Sequence, residues 1–405
     1  MIKRFGKKSL LDIEECVSKS VPANTTKSHS SVWTQFENFC ADRNYILQAS
    51  TSPEEVSNML MDYAFNMKKV DGSGYKEACI KTMWNVTAKL VQEKFFKEFG
   101  VSLNPFQDLC FKKARDARDS KRRELQEQVE KRKISSTALT EAELMEIKKL
   151  YSEENPEGLQ KKFFFLASYE LIWRGGEAAN CLVKYFKPEI DNTGRATGRI
   201  EYNPIFSKTA QGGNQRLEDS KWLTKNEHDS SMCPVRIFNL LLSKRSSKIT
   251  SERLFLTVNP YWKKSTSSAW FKNLPVGRNE ISKWTRTAAE KIGIDTKKVK
   301  ITNHSTRSTA VSHLVKAGVS ENELIKISGH KNTSSIKPYL KLDENHHKQL
   351  VNHMQGRSTE PKKIVNNSLE AAIHNSVNED ERIVYNNCVF NFSSCEVNFN
   401  KNTVQ

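Results

Sequence analysis

Four side chains within residues 301–340 have the chemistry that a phosphodiester reaction needs. His304 and Arg307 form an H-x-x-R pattern, His330 follows a glycine, and Tyr339 comes nine residues after His330. A tyrosine hydroxyl can break a phosphodiester without hydrolysis by forming a phosphotyrosyl ester, which stores the energy of the bond. Guanidinium and imidazole groups suit the negative charge that develops on the non-bridging oxygens. The pattern therefore predicts that all four side chains close on one phosphate.

Two further charged residues lie upstream of these four. Arg174 follows an apolar segment in LIWRGGE, with Glu177 three residues later. Burial of an unpaired guanidinium is costly, so an arginine beside an apolar helix needs a reason. Lys208 lies near the turn of a predicted hairpin, and a lysine or histidine can protonate the departing 5′ oxygen. Because arginines with histidine and lysine can replace the metal ion of many nucleases, the pattern predicts no metal and no cofactor.

Each residue also has a plainer interpretation when it is taken alone. Arg174 fits a surface position at a helix end, and a lysine near a turn, such as Lys208, is ordinary. H-x-x-R is a common pattern, and a tyrosine after a proline usually packs against its neighbours. The fixed order of all the parts is what favours a shared site.

The complete order of motifs resembles the tyrosine recombinase (phage-integrase-like) superfamily. The spacing from Gly-His to tyrosine is the most specific part, and the resemblance covers roughly residues 135–350. Flanking segments such as CPVRIFNLLLSKR resemble the eukaryotic branch, which comprises Crypton-type transposons and host genes derived from them. The matching stretches are WRGGE at 173–177, SKT at 207–209, NHSTR at 303–307, SGHKN at 328–332 and KPYL at 337–340.

The resemblance assigns a role to each of these residues. It implies that Tyr339 is the nucleophile and that Lys208 is the general acid for the leaving 5′-hydroxyl. It implies that Glu177 is a supporting group that orients Arg174. The groups that it assigns to hold and charge-balance the scissile phosphate are Arg174, Arg307, His304 and His330.

Two departures from the pattern of the superfamily stand in this sequence. Ile172 and Trp173 precede Arg174, where many relatives have Gly-Leu. Gln211 lies three residues after Lys208, where a K-T-G-K-like run is frequent. Neither departure removes a catalytic group.

Composition limits the class of partner and the kinds of site. Among 405 residues the formal net charge is +17 and the pI is near 9.4, which points to a polyanionic partner such as nucleic acid. The eight cysteines include no C-x-x-C pair, so the sequence predicts neither a zinc site nor a dense disulfide framework and fits a reducing compartment. No apolar run is long enough to predict a transmembrane helix.

Periodicity predicts a mainly α fold with a small antiparallel β-sheet (α+β), in which an all-helical N-terminal domain precedes a mostly helical second domain that holds the sheet. The resemblance implies that these are a DNA-clamp domain and a tyrosine recombinase catalytic domain. Residues 1–27 read as a flexible basic leader, and 28–130 as four helices forming a core-DNA-binding domain with a basic linker. Residues 135–350 read as the catalytic domain, with a hairpin that turns near residues 211–214. Residues 351–405 read as an Asn-rich tail, largely disordered, whose alternating end favours a short strand pair.

The basic linker has two interpretations. Residues 112–133 hold ten Lys/Arg and five Asp/Glu, which fits a solvated helix face as well as a DNA contact. Its position before the catalytic domain favours DNA. The predicted DNA-binding residues are Lys112, Lys113, Arg115, Lys121, Arg122 and Arg123.

The resemblance implies a site-specific DNA recombinase or integrase that acts through a 3′-phosphotyrosyl link. Two alternatives are a catalytically silent, transposon-derived DNA-binding or regulatory protein, and a type IB topoisomerase-like relaxase. The implied partner is double-stranded DNA, bound by a homo-tetramer on synapsed DNA and by a monomer or dimer when free, without a membrane. The implied location is the nucleus in a eukaryotic host, and otherwise inside the cell with DNA.

Overall fold

The computed structural model describes residues 7–132, 134–204, 221–264, 268–330, 332–339, 347–348, 351–352, 354–357, 382–385 and 388–391. The chain divides into two compact units, Met1–Ala310 and Val311–Gln405. The first unit holds two separate hydrophobic cores, one on each side of residue 130.

The first core is helical. Ser52 and Glu55 form a capping box that starts α3, and Gly100, with φ at 68°, ends α4. Trp84 is fully buried, and its indole N–H donates to the Leu60 carbonyl at 3.0 Å. The helices of this core are α2 (Ala23–Asp42), α3 (Pro53–Asn66), α4 (Glu77–Phe99) and α5 (Lys112–Glu127).

The N-terminal stretch differs from the prediction of a flexible leader. Residues Leu10–Ser20 form a helix, α1, and α2 begins within the predicted leader. Ser9 and Asp12 form a capping box, a local signal that is independent of tertiary packing. No residue of α1 is buried, so its helical form depends on that cap and on its own periodicity.

The helix α5 belongs to the first core. It buries Ala114, Ala117 and Leu125, two of which lie in the core formed by the earlier helices. The predicted basic linker is therefore largely a core helix with charged outer faces. Its cations occupy positions fixed by that packing.

The second core surrounds a helix that is buried on nearly every side, α7 (Pro156–Glu170). Phe163, Phe164 and Phe165 are all inaccessible or nearly so. Two buried lysines of α7 are paired with carboxylates, Lys161 with Glu157 at 2.5 Å and Lys162 with Glu153 at 3.1 Å. The other helices of this core are α6 (Glu141–Lys149), α8 (Pro234–Ser243) and α9 (Arg278–Lys291). The next helix, α10 (Asn303–Lys316), begins in the first unit and runs into the second.

Two small antiparallel sheets complete the second core. The first has the order β1-β2-β3, with β1 (Phe186–Ile190), β2 (Ala196–Tyr202) and β3 (Lys221–Thr224). The second pairs β4 (Leu256–Val258) with β5 (Phe271–Pro275). The strand predicted from the first half of the hairpin corresponds to β2, while the predicted turn lies outside the described residues. The sequence missed β1 and β5, because both expose most of their residues and carry prolines.

The second unit contains α11 (Glu321–Ser328), started by a Ser320–Glu323 capping box and ended by Gly329 at φ 67°. Short 3₁₀ turns follow at Thr333–Ser335 and Lys337–Tyr339. In the tail, β6 (Arg382–Tyr385) and β7 (Cys388–Asn391) form an antiparallel pair, as the alternation of the sequence predicted. The fold is mainly α with small antiparallel sheets, and the predicted fold class is correct.

None of the helices in the described part of the chain is long and apolar enough to span a membrane.

Candidate active site

The loop that follows α7 carries Arg174 and begins with a strained residue. Ile172 has φ at 51°, in the left-handed region that a β-branched residue rarely adopts. Hydrogen bonds fold the chain back on α7 here, with Leu171 N donating to Ala167 O at 2.9 Å and Trp173 N to Ser168 O at 3.1 Å.

Arg307 is buried directly beside this loop. Its side chain is only 1% exposed, and Nη1 donates to the Ile172 carbonyl at 2.6 Å. A hydrogen bond to a neutral carbonyl satisfies the donor and leaves the positive charge intact. The strained residue therefore presents the acceptor that anchors a buried guanidinium.

Glu177 anchors Arg174 at two points. Its Oε1 lies 3.1 Å from Arg174 Nη1, and its Oε2 accepts the Arg174 backbone N–H at 2.9 Å. Both side chains are mostly buried. This is the contact that the predicted orienting role of Glu177 requires, and the role in a reaction stays a prediction.

The first turn of α10 carries His304 and Arg307. Thr302, the residue before α10, accepts the His304 N–H on Oγ1 at 3.1 Å. Ser305 reciprocates by accepting the Thr302 N–H at 3.1 Å. The start of α10 is therefore defined by Thr302 and Ser305 together.

Asn303 has a different task, which is to fix the start of α10 on α9. Its buried amide accepts from the Thr285 hydroxyl at 2.8 Å and donates to the Ile281 carbonyl at 2.8 Å. On the opposite side, a Cβ added to Gly175 would lie 3.8 Å from the His304 backbone nitrogen. The Arg174 loop thus packs against a helix N-terminus, a place where anions bind readily.

The surroundings of His304 favour the neutral form of its imidazole. Burial lowers the pKa of its imidazole, and the charges of Arg307 and Arg174 lower that pKa further. The histidine is therefore uncharged near neutral pH, when one ring nitrogen donates a hydrogen bond and the other accepts one. Its electrostatic coupling to both arginines shows that the three side chains share one environment.

Lys221 is a site residue that the sequence did not reveal. It opens β3 opposite Tyr202, is half-buried, and donates from Nζ to the Leu171 carbonyl at 2.6 Å. Burial lowers its pKa to about 8; Glu177 opposes this shift, while Arg307 and Arg174 add to it. The predicted lysine, Lys208, lies outside the described residues. The sequence could have indicated Lys221 only through its pairing with the buried Tyr202, and that pairing is known only once the register of β2 and β3 is known.

The second unit brings His330 and Tyr339 together. Their ring centroids are 5.7 Å apart and the planes are tilted by 49°. Gly329, in the left-handed conformation, turns the chain so that His330 N donates to Ile325 O at 3.2 Å. Tyr339 N donates to the carbonyl of Ile336, whose side chain is fully buried. The proline-tyrosine turn is thereby fixed on this unit.

Each unit therefore assembles part of the predicted set. The first unit gathers Arg174, Glu177, His304 and Arg307 and adds Lys221, and the second unit pairs His330 with Tyr339. The phage integrase family model matches residues 137–346, which is more than half of the chain. The chain belongs to the phage integrase family.

Solved structures with which this phage integrase family member can be aligned have low sequence identity. XerA recombinase shares 14% identity, with 86% of this chain and 97% of that chain covered and a TM-score of 0.37. XerH recombinase in a post-cleavage complex with its difH substrate shares 12%, covering 76% and 73%, at 0.49. The Tn1549 transposon integrase with circular intermediate DNA shares 14%, covering 82% and 94%, at 0.49. No curated protein matches the sequence significantly.

In this family member, several of the predicted DNA-binding residues of α5 have intramolecular partners. Arg122 Nε donates at 2.7 Å to Glu77, a buried carboxylate of α4. Arg115 Nη1 donates to the Pro105 and Asp108 carbonyls, both at 3.0 Å. The pairs Lys112–Asp116 at 2.6 Å and Lys121–Glu124 at 2.7 Å follow helical spacing, and Lys113 and Arg123 are exposed. Arg115 and Arg122 hold the first core together, and DNA contact by this helix stays a prediction.

Proposed function

We propose that the protein is a site-specific DNA recombinase that cuts and rejoins strands through a 3′-phosphotyrosyl intermediate. The observation that carries the proposal is the cluster at the start of α10, where the buried Arg307 donates to the carbonyl of Ile172, two residues before Arg174, and Gly175 lies against the backbone of His304. A buried guanidinium bound by a carbonyl keeps its full charge, which suits a phosphate whose negative charge increases in the transition state.

In the proposed reaction, Tyr339 is the nucleophile. Its hydroxyl oxygen attacks the phosphorus, forming a Tyr–O–P bond while the bond from phosphorus to the 5′ oxygen breaks. The phenolic proton is lost, and the leaving 5′ oxygen takes up a proton from a general acid. Arg174 and Arg307 stabilise the non-bridging oxygens, and His304 and His330 contribute hydrogen bonds. Rejoining is the same sequence in reverse, with a 5′-hydroxyl as the attacking group.

Two lysines are candidates for the general acid. Lys208 is assigned by the resemblance, and Lys221 is favoured by its contact with the Arg174 loop. A lysine with a pKa near 8 releases its proton more easily near neutral pH than an ordinary lysine does. We assign Lys221 as the leading candidate among the described residues.

The remaining assignments follow from the resemblance and from charge. The proposed partner is double-stranded DNA, bound by a tetramer on synapsed sites, and the reaction needs no metal or nucleotide cofactor. The proposed origin is a Crypton-type transposable element or a host gene derived from one, acting in a eukaryotic nucleus. The net charge of +17 supports a polyanionic partner.

Trapping of a covalent adduct tests the proposal. We expect the wild type to form a denaturant-resistant link to supercoiled or nicked cognate DNA, and Tyr339→Phe to form none because it lacks the nucleophilic oxygen. Tyr261→Phe, which changes a tyrosine that is 59% exposed, is the matched control and keeps the adduct.

Three other results would lead to different conclusions. Absence of an adduct from the wild type on every DNA tested would favour the silent DNA-binding protein. An adduct that survives in Tyr339→Phe would reject the assigned nucleophile. Relaxation of supercoils without strand exchange would favour the topoisomerase-like relaxase.

A further inference from the structure

Ser328, the last residue of α11, contacts the ring of His330. The serine is fully buried, and its Oγ lies 2.5 Å from Nδ1 of His330. The same hydroxyl is also within hydrogen-bond distance of the Leu324 carbonyl, one turn back along α11. The left-handed conformation of Gly329 between the two residues makes this close approach compatible with the end of the helix.

The number of protons in this contact decides which form the histidine takes. A serine hydroxyl has one proton, and a carbonyl can only accept. When the hydroxyl donates to Leu324 O, its oxygen is left to accept from His330, so Nδ1 must carry a proton. In the neutral ring, Nε2 then has no proton, and it is the nitrogen that gains or loses one as the ring titrates.

We propose that Ser328 is a positioning residue that holds His330 in the Nδ1–H form, with its ring oriented beside Tyr339. This inference rests on the proposed function, in which His330 acts on the scissile phosphate. The hydroxyl acts through the histidine: the Nδ1–H stays on the serine oxygen, and Nε2 is the nitrogen directed to the reaction, where it donates to the scissile phosphate when the ring is protonated. A serine near a helix end can also simply bond back to the carbonyl four residues earlier, which would place no demand on the histidine.

Nitrogen-15 NMR of histidine-labelled protein without DNA measures the form of the ring directly. His330→Gln identifies the His330 signals among those of the nine histidines. Above the pKa of the ring, we expect wild-type His330 to show a protonated Nδ1 and an unprotonated Nε2. Ser328→Ala removes the acceptor, so its His330 signals should move to positions that report a mixture of both tautomers.

Two further variants separate positioning from a general loss of structure. Ser320→Ala removes the N-cap of the same helix, whose Oγ accepts the Glu323 N–H, and should leave the His330 tautomer unchanged. Ser328→Cys keeps a side chain of similar shape with a weaker donor and acceptor, and should give an intermediate tautomer population. Unchanged His330 signals in folded Ser328→Ala and Ser328→Cys would overturn the proposal.

Adduct formation provides the functional readout. Loss of one hydrogen bond that positions the ring should slow adduct formation by Ser328→Ala by about tenfold, with Ser328→Cys in between and Ser320→Ala close to wild type. A full rate in Ser328→Ala together with an altered tautomer would reject the role in the reaction. Because the NMR measurement needs no DNA, absence of an adduct from the wild type would instead count against the proposed function.

Discussion

Two cation-rich regions of this chain hold their charge in different ways. On α5, Arg122 is paired with Glu77, and Lys112 and Lys121 are paired with carboxylates on their own helix. At the start of α10, Arg307 is more deeply buried, and its guanidinium donates to the backbone carbonyl of Ile172. The first arrangement pairs cations with carboxylates and stabilises a core. The second combines an ion pair, between Arg174 and Glu177, with a buried guanidinium on a backbone carbonyl, beside a helix N-terminus that favours anions.

The comparison teaches that the number of basic residues alone does not locate a catalytic site. The α5 segment has the denser run of Lys and Arg in sequence, and much of that charge is balanced within the fold. What distinguishes the α10 site is a buried guanidinium that donates to a backbone carbonyl beside a helix N-terminus.

Replacement by lysine of one arginine in each region tests this difference most strongly. Arg307→Lys keeps the charge and loses the planar fork, so we expect adduct formation to fall by at least about a hundredfold. Arg118→Lys, at an α5 arginine that is paired with Asp119 at 2.8 Å and lies outside the predicted DNA-binding set, is the matched control, for which the rate per folded molecule should stay close to wild type. Adduct trapping on protein whose folding is verified by thermal unfolding is the measurement. Equal losses in both variants would break the comparison.

Replacement of each candidate lysine tests whether a lysine with a lowered pKa donates the proton to the leaving 5′ oxygen. Lys221→Ala should slow cleavage of ordinary DNA by about a hundredfold or more, and a substrate with sulfur at the 5′-bridging position should restore the rate. A thiolate leaves without protonation, because thiols are far more acidic than sugar hydroxyls. Lys208→Ala is the parallel variant. If the sulfur substrate restores the rate of Lys208→Ala and does not restore that of Lys221→Ala, the general acid is Lys208.

The pH profile of the same reaction gives a second check. The pKa of Lys221 is lowered to about 8, and a general acid must be protonated to act. Cleavage of ordinary DNA should therefore fall as the pH rises through about 8. The sulfur substrate should not show that decline. A rate that stays constant above pH 9 on ordinary DNA would exclude Lys221 as the acid.

The smallest expected effect concerns the strained residue that presents the carbonyl to Arg307. Ile172→Gly should be more stable than Ile172→Ala by about 1 kcal/mol in the free energy of unfolding, because only glycine adopts a positive φ without strain. At Ile237, a buried position inside α8, the order should reverse, with alanine more stable by about 1 kcal/mol. Urea unfolding of the four variants measures both differences. The same order at both positions would show that Ile172 is not strained.

The sequence predicted the fold class and the principal helices because apolar periodicity and capping boxes are local signals. The Thr140–Glu143 capping box, for example, starts α6. The pairing of Arg174 with Glu177 was also readable, because three residues separate them at the end of a helix. The motif order was sufficient to nominate His304, Arg307, His330 and Tyr339 as one set.

Other features depend on three-dimensional packing and could not be read from the sequence. Lys221 becomes a site residue only through the register of β3 and its burial against the Leu171 carbonyl. Asn303 fixes the start of α10 on α9, a contact that depends on where α9 lies. The same holds for Arg115 and Arg122, whose partners lie on other segments.

The carbonyls of Leu171 and Ile172 lie just past Glu170, the last residue of α7, beside the end of the helix that is the negative pole of its dipole. Lys221 and Arg307 therefore bind the segment that leaves this helix as well as furnish charge, and that segment leads directly into Arg174. Removal of Lys221 or Arg307 would loosen the segment that carries Arg174. The loss of adduct formation in a variant that combines substitutions of Lys221, Arg307 and Arg174 should therefore be smaller than the sum of the losses in the single variants.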